Sequence, residues 1–434
     1  MERATKARLW TKDFTLLWQG QFVSEFGNAI FAVALGFWAY ATTGNEAVMG
    51  MVMACFSIPS IVLGPLSGTL ADRLNRKWLI IGSDAIRGFI FLAMGALILF
   101  DLFPFWCIYP LALLAGACGA FHSPAMSSVL PDIVDRSLLT QANSARSLAS
   151  ALDDVIGTPV GGVLYTVLGA PVVFLFNGVS YLYAAAAQLF LHVPRRQRTA
   201  TSQRHILADM GEGFRYIWSN NGLRMLIAIG AFLNFFFTIA TTLFIPWFDQ
   251  TPWLGAGRYG FTMGALTAGA ILGMLLLSAI KVPAKRRAML FSGALVVMGI
   301  MITVAVFLKI YWLIVVLVFL SGLCNAVVNV LLQTVMQLTV SPENRGKVSG
   351  IMNTFIGGLM PVAMMLSGFL ARLIGTHLTI KLAFIAALLT AVPALFGRTF
   401  HVFLNYEPPA AEPTDETDDA VPVTVGEASL SAGE

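Results

Sequence analysis

The chain has 434 residues, of which 57% are hydrophobic and 12% are charged, and its formal net charge is +4. An average soluble domain is about 45–50% apolar and about 25% charged, so the composition excludes an ordinary water-soluble fold and indicates a protein embedded in a lipid bilayer. The segment 407–434 holds eight of the 23 acidic residues and none of the 27 basic ones, which leaves 15 acidic residues and a net charge of +12 elsewhere.

Twelve stretches of the sequence are long and apolar enough to cross a membrane as helices, which requires about 20 residues each. The predicted spans are residues 14–40, 47–70, 78–100, 105–123, 143–167, 171–192, 223–248, 258–280, 288–308, 311–333, 347–370 and 378–397. The ninth and tenth spans are separated only by Lys309. The first span follows a charged start and is too long for a cleavable signal, so we expect it to be retained.

The basic residues indicate the orientation of these spans, because cytoplasmic loops are enriched in Lys and Arg. With both termini in the cytoplasm, 21 basic residues fall on the cytoplasmic side, and Arg87 and Arg146 lie within spans. The opposite side receives four basic residues, Arg258, Lys309, Arg372 and Lys381. This asymmetry supports an even number of spans. It also accounts for the excess of basic residues without a nucleic-acid partner.

The polar segment 193–222 divides the spans into two sets of six. The sequence therefore predicts a cytoplasmic N-terminus (1–13), an N-terminal six-helix bundle (14–192), a cytoplasmic linker (193–222), a C-terminal six-helix bundle (223–400) and a tail (401–434). The tail is rich in Pro, Asp and Glu, which is typical of disorder.

The linker carries apolar residues at helical spacing, which predicts an amphipathic helix on the inner membrane surface. These residues are Ile206, Leu207, Met210, Phe214, Ile217 and Trp218. A plain solvated linker is the alternative.

The loop between the second and third spans reads GTLADRLNRK. It resembles the signature G-x-L-a-D-R-x-G-R-[RK] of the major facilitator superfamily, with Asn75 in place of the second Gly. The matching residues are Gly68, Leu70, Asp72, Arg73, Arg76 and Lys77. An acid such as Asp72 at the C-terminal end of a helix is unfavourable unless it is paired, and the resemblance implies that Asp72 and Arg73 form a gating latch. A simple basic turn would explain the cations but not Gly68 together with Asp72.

Further segments resemble the drug- and siderophore-exporter branch of that superfamily, which includes macrolide-efflux-like and enterobactin-exporter-like proteins. They read LWQGQFVSEFGNAIFAVAL, SDAIRG, LPDIVDRSLLTQANS, EGFRYIW and SPENRGKVSG. The resemblance implies an all-α fold of two six-helix halves in the bacterial inner membrane. It also implies a monomer that exports a drug-like or siderophore-like molecule in exchange for protons, by alternating access at a site near the midplane.

The sequence contains no ATP-binding loop and no hydrolase or zinc-protease motif, so we expect neither an enzyme nor a cofactor. The five histidines are scattered, which gives a metal site no support. Uptake or lipid translocation on the same fold remains an alternative function. A membrane sensor or accessory subunit is another, and the acidic tail is its only support.

The fifth span carries GTPVGG, with Gly157, Pro159, Gly161 and Gly162. It resembles the exporters' antiporter motif G-x-x-x-G-P-x-x-G-G, although Pro159 is displaced by one position and Asp153 replaces the first Gly. We expect a bend at Pro159 and close helix packing at the glycines. A generic kinked helix would explain the same pattern.

Three acids lie deep within predicted spans, where ionisable groups are costly and usually functional. Glu25 lies about 11 residues into the first span, at a depth of ~16 Å in a core of ~30 Å. Asp153 and Asp154 are comparably deep in the fifth span. They point about 100° apart on an α-helix, so we expect at most one to face a cavity. Permanent pairing with an Arg or permanent protonation is the alternative for all three.

Asp84 and Arg87 are three residues apart and share one face of the third span, which favours a structural ion pair. Arg146 could instead pair with Asp72 or Asp84.

The predicted C-terminal half has almost no deep charge. Its candidate cavity residues are amides and aromatics, namely Asn234, Phe235, Trp247, Asn325 and Asn329. Interhelical hydrogen bonding is the alternative role for these amides. A cavity of this type, with a few acids, suits a bulky, amphiphilic or cationic cargo.

Overall fold

The computed structural model describes residues 8–193, 206–280 and 282–407, with the side chains of residues 65, 66, 68–73, 206–210, 342, 343, 346 and 399 outside the description. Sixteen α-helices occur within these residues. They are α1 (Lys12–Thr43), α2 (Glu46–Arg73), α3 (Arg76–Leu99), α4 (Ile108–Ile133), α5 (Leu139–Leu152), α6 (Thr158–Leu189), α7 (Ile206–Ser219), α8 (Asn221–Thr242), α9 (Phe244–Gln250), α10 (Ala256–Ser278), α11 (Ala284–Phe307), α12 (Tyr311–Thr339), α13 (Pro342–Gly358), α14 (Met360–Ile374), α15 (Thr376–Phe396) and α16 (Arg398–Leu404). A π-helical turn, Asp153–Gly157, joins α5 to α6.

By length and composition, eleven helical stretches of the described residues could each cross a membrane. One of them, Arg136–Leu189, has 54 residues. It would be ~80 Å long at 1.5 Å per residue, far more than one crossing needs. Gly169 interrupts it with φ 76° and ψ 172°, a conformation that favours glycine. This stretch therefore contains two spans.

Contacts with α1 show that the chain reverses at Gly169. Trp18 Nε1 donates a hydrogen bond to the Ala145 carbonyl oxygen at 3.1 Å. Gly20, only two residues further along α1, packs against the backbone of Ala184. Residues far apart in sequence thus lie at one level of the bundle. The predicted division into a fifth and a sixth span is confirmed, and the described residues contain the twelve spans that the sequence predicts.

Several spans differ from the prediction in detail. The predicted seventh span is broken at Leu243, between α8 and α9. The eleventh is broken at Leu359, two residues before Pro361, which has no backbone N–H to donate. The boundary predicted at Lys309 is confirmed, because α11 ends at Phe307 and α12 begins at Tyr311.

The fourth helix continues to Ile133, ten residues beyond its predicted end at 123. The extension is held by packing, since Met126, Val129 and Leu130 are buried in a core cluster with residues of α1 and α3.

The bundle has an N-terminal half, α1–α6, and a C-terminal half, α8–α16. We call the end that carries Arg76, Lys77, Arg345 and Lys347 the basic end, and the other the opposite end. At the basic end each half has its own hydrophobic cluster. The largest cluster instead includes buried residues of both halves, among them Phe37 on α1 and Phe248 on α9. The halves are therefore joined towards the opposite end.

The outer surface of the bundle is apolar, with many large side chains exposed. Val167, Trp312 and Phe396 have relative exposures of 72%, 74% and 81%. Lipid can cover this surface, whereas water would make its exposure costly.

The linker and the C-terminal boundary have structure of their own. Helix α7 is the helix that the linker sequence predicts. Its Ile217 is buried, and its Gly213 packs against Lys347 and Ile351 of α13. The C-terminal half extends past its predicted end at 400 because α16 buries Phe403 and Leu404. Residues after 407 lie outside the described chain.

Candidate functional site

A cavity of about 420 Å³ lies where the two halves meet, a volume typical of small-molecule sites. Helices α1, α2 and α10 and the π-helical turn with its flanking residues form its walls. The lining residues are Glu25, Asn28, Ala29, Ala32, Val33, Met53, Ser150, Asp153, Asp154, Thr158, Tyr259 and Met263. The three acids predicted from the sequence are therefore brought together.

Glu25 is connected to a cation through a neutral amide. Gln21 Nε2 donates to Glu25 Oε1 at 2.6 Å, and Arg146 Nε donates to Gln21 Oε1 at 3.1 Å. Arg146 is also close enough to Glu25 to interact with it electrostatically. Glu25 is thus near a positive charge, but its hydrogen bond comes from Gln21.

The expected partners of Arg146 need correction. Arg146 does not pair with Asp84, because the registers of α1 and α5 place its guanidinium beside Gln21. The side chain of Asp72, the other suggested partner, lies outside the described residues.

Asp153 is an unusual carboxyl group because it is buried and unpaired. Its relative exposure is 2%, and neither of its oxygens accepts a hydrogen bond from the described residues. Glu25 and Asp154 are near enough to interact with it electrostatically. A buried polar group without a partner is costly, and ionisable groups within membrane spans are usually functional, so Asp153 is a candidate functional residue.

Asp154 also lines the cavity, so the expectation that only one member of the pair would face it was wrong. The π-helical turn explains the difference, since its i→i+5 bonding carries successive side chains through a smaller angle than an α-helix does. Such turns occur frequently at functional sites.

The glycines that follow the π-helical turn permit close helix contacts on two sides. A Cβ at Gly161 would lie 2.8 Å from Ile30 Cα of α1, and one at Gly162 would overlap the carbonyl oxygen of Ala256 of α10. Pro159 packs against Gly264 of α10. The predicted close packing is therefore present, and it joins the two halves next to the cavity.

The loop between α2 and α3 is described only in part. The backbone of Gly68, Asp72 and Arg73 is helical, but their side chains lie outside the described residues. Arg76 forms an ion pair with Asp132 of α4 at 3.0 Å, and Lys77 donates to the carbonyl oxygen of Leu189 at 2.8 Å. These contacts attach the loop to its own half, and the latch remains a prediction.

The ion pair of the third span is present. Arg87 Nη2 lies 2.6 Å from Asp84 Oδ1, and the carboxylate is 1% exposed.

None of the five candidate residues of the C-terminal half lines this cavity. Trp247 is 3% exposed and packs against Phe244 and Phe248, so its prediction as a cavity residue needs correction. Asn329 Nδ2 donates to Asn325 within α12, at 2.9 Å to the side-chain oxygen and 3.0 Å to the carbonyl oxygen.

Asn234 and Phe235 on α8 are half-buried, and they too are absent from the lining, so their prediction as cavity residues also needs correction. The C-terminal half instead contributes Tyr259 and Met263 of α10. Sequence analysis missed these two residues, although the neighbouring pair Gly260 and Gly264 is a small-residue pattern typical of a tightly packed helix face.

A polar network closes the opposite end of the bundle. Gln250 Nε2 of α9 lies 2.7 Å from Tyr40 Oη and 3.0 Å from Glu46 Oε1. Thr376 of α15 joins the same group, with its Oγ1 3.1 Å from Glu46 Oε1. Two helices of each half thus meet through these side chains.

The Major Facilitator Superfamily family model matches residues 17–363 and 258–430 of the chain. The protein belongs to this superfamily. Its members carry small molecules, and the all-α architecture in two halves is their fold. Among solved structures, the nucleoside transporter NupG superposes with a TM-score of 0.69 at 14% identity, covering 91% of this chain and 99% of that one. A bacterial homologue of the iron transporter ferroportin, in an inward-facing state, has a TM-score of 0.69 at 14% identity and covers 88% and 98%. Both likenesses concern the fold alone.

Curated relatives of this superfamily member include bacterial efflux proteins. Macrolide efflux protein A of Streptococcus pyogenes is 24% identical over 376 residues, or 85% of this chain and 91% of the relative. The multidrug efflux pump Tap of Mycolicibacterium fortuitum is 27% identical over 387 residues, or 85% and 92%. The chain is therefore a multi-span bacterial membrane protein of the transporter type.

Proposed function

We propose that this transporter exports neutral or cationic amphiphilic drug-like molecules in exchange for protons, by alternating access. The convergence of Glu25, Asp153 and Asp154 on one cavity between the halves is the observation that carries the proposal. The names of the curated efflux relatives support the outward direction.

The chemistry of the cavity favours a cation over an anion. Its lining has three carboxyl groups and no Lys, Arg or His, and it adds the apolar surfaces of Met53, Met263 and Tyr259. Carboxylates attract a cationic cargo and repel an anionic one such as a deprotonated siderophore. Of the two cargo types that the sequence suggests, the drug-like one therefore fits better.

Proton exchange requires an acid that alternates between its two forms. Glu25 meets this requirement because its proton and a cationic cargo would compete for one carboxylate, which Gln21 holds in place by a hydrogen bond. The joined opposite end supports a state in which this site is reached from the basic, cytoplasmic end.

Transport in inverted membrane vesicles with an imposed acid-inside pH gradient tests the function. A labelled macrolide antibiotic and the cationic dye ethidium serve as probes. We expect gradient-dependent accumulation that a protonophore abolishes. Glu25→Gln should remove this accumulation, because the amide cannot release a proton. It should retain macrolide binding to the purified protein, because Asp153, Asp154 and the apolar lining remain. Asp101→Asn, an exposed acid after α3, is the matched control and should transport normally.

Different outcomes separate the alternatives. Accumulation in right-side-out vesicles instead of inverted ones would indicate uptake, and flipping of a fluorescent phospholipid without drug transport would indicate a lipid carrier. An unchanged rate and pH dependence in Glu25→Gln would remove Glu25 from the mechanism.

A further inference from the structure

A second group of ionisable side chains lies inside the N-terminal half, away from the cavity. Asp84 and Arg87 come from α3, His122 from α4, and Tyr181 and Gln188 from α6. None of them lines the cavity. The side chains of Asp84, Arg87 and His122 are 1%, 12% and 15% exposed. We call these five residues the α3–α4–α6 cluster.

Both oxygens of Asp84 are engaged, and one of them faces the imidazole. Oδ1 accepts from Arg87 Nη2 at 2.6 Å. Oδ2 accepts from Gln188 Nε2 at 2.7 Å and lies 3.3 Å from His122 Nε2. A carboxylate only accepts hydrogen bonds, so the ring carries its proton on Nε2. A second proton, on Nδ1, would create an imidazolium with Asp84 as its counterion.

An Asp84–Arg87 pair is electrically neutral without His122, so charge balance alone does not require a histidine here. Arg87 also has other interactions that can hold it when Asp84 is shared with a second cation. Its Nη1 donates to the Tyr181 hydroxyl at 3.1 Å, and its guanidinium lies 4.4 Å from the centroid of the same ring. Contact between a guanidinium and a desolvated aromatic face is favourable. The cluster can therefore accommodate two positive charges.

The surroundings leave Asp84 as the dominant partner of the imidazole. Among the described residues, Asp84 is the acid whose carboxylate lies in ion-pair distance of the His122 ring, with Oδ2 3.3 Å from Nε2. Glu25 of α1 is near enough to Tyr181 to interact with it electrostatically. Other titratable groups on α4 and its neighbouring helices lie towards the two ends of the bundle or on other faces. They include Cys118 of α4, Arg146 of α5, the Arg76–Asp132 pair and Lys77 at the basic end, and Glu46, Cys55 and Tyr109 towards the opposite end.

We propose that His122 is a proton-binding residue of the transport cycle, with Asp84 as its counterion. Tyr181 holds the Arg87 guanidinium while Asp84 interacts with both cations. This goes beyond the proposed function, which assigns the exchanged protons to the cavity acids. The N-terminal half then has two proton sites. The one in the α3–α4–α6 cluster binds its proton where the cargo does not compete for it.

The transport test uses His122→Gln in the full-length protein. The glutamine amide can place a donor where Nε2 lies, so it keeps the hydrogen bond to Asp84 but cannot bind a proton. We expect folded protein that transports ethidium with a pH–rate profile lacking one ionisation, so that a limb of roughly tenfold per pH unit becomes flat. A profile identical to wild type would overturn the proposal.

A second measurement does not depend on transport or on that variant. Replacing His192, His205, His377 and His401 by Gln leaves His122 as the single histidine, whose ring nitrogen chemical shifts report protonation. We expect these shifts to report two protonation states over the pH range of the transport assay, and to report only one in Asp84→Asn, which lacks the counterion. A ring that stays in one form throughout this range would contradict the proposal, whether or not the protein exports drugs.

Discussion

The two halves of the bundle each contribute six spans among the described residues, but their interiors differ. Among the described residues, the buried carboxylates are Asp84 and Asp153, both in the N-terminal half. The buried polar groups of the described C-terminal half are hydroxyls, such as that of Ser321, which donates to the Val318 carbonyl oxygen at 2.7 Å. Such hydroxyls keep one charge state throughout a cycle, whereas carboxyls and imidazoles can change theirs. This difference favours an assignment of proton binding and release to the N-terminal half. The C-terminal half then moves against it and contributes a largely apolar side of the cavity.

Alternating access requires the two halves to separate and rejoin during each cycle. We expect the largest change in transport rate from a substitution at Gly162, where α6 contacts α10 of the other half. A side chain at this position would overlap the Ala256 carbonyl oxygen of the other half. Overpacking costs ~1–3 kcal/mol, so Gly162→Val should destabilise the joined state and reduce the initial rate of ethidium transport by about tenfold or more. Gly293→Val on α11, where the added Cβ has open space, should transport within about twofold of wild type. Equal rates in the two variants would show that this joint does not control the cycle.

A pair of polar substitutions tests the comparison between the halves directly. Asp153→Asn removes a buried unpaired acid, so we expect gradient-driven transport to fall by about tenfold while the melting temperature in detergent rises. Asn329→Leu in the C-terminal half removes an amide that bonds to Asn325 of its own helix, and transport should change by less than about twofold. A larger loss in Asn329→Leu than in Asp153→Asn would reverse the assignment of roles.

The architecture could be predicted from the sequence because it depends on patterns within short segments of the chain. Runs of about 20 apolar residues and the alternation of basic loops predicted twelve spans, including the division at Lys309. The continuation of α4 past Pro124 was not predicted, because it depends on packing against α1 and α3, which are distant in sequence. The break at Leu243 was not predicted either, although Pro246, which has no backbone N–H to donate, is a local signal for it.

The candidate site was accessible only in part. Depth within a span identified Glu25, Asp153 and Asp154, since position along a helix is readable from sequence. Their convergence depends on how α1, α10 and the π-helical turn approach one another, and no local pattern specifies that turn. The i,i+4 spacing of Gln21 and Glu25 was a readable signal, but the partner of Arg146 depends on the register of α5 against α1.

Gln21 gives a smaller effect that would sharpen the role of Glu25. Gln21→Leu removes the hydrogen bond to Glu25 and the link to Arg146. We expect the transport rate to fall by a few fold, because the Glu25 side chain is then no longer held in place by a hydrogen-bond donor. The initial rate of ethidium transport in proteoliposomes measures this loss. Gln333→Leu, which removes an exposed amide on α12, should leave the rate unchanged. An unchanged rate in Gln21→Leu would mean that this hydrogen bond does not position Glu25 for transport.

The acidic tail should have the smallest effect, although it carries eight negative charges. Charges in water act weakly beyond a Debye length of ~8 Å at physiological ionic strength, and the cavity acids lie deep within the spans. Ending the chain after Tyr406 retains α16 with its buried Phe403 and Leu404. Transport rate and pH dependence should therefore remain within about twofold of the full-length protein. Loss of transport in a truncated protein that is still inserted and stable in detergent would favour a sensor or accessory role for the tail, and proton coupling could then no longer be assigned to the N-terminal half alone.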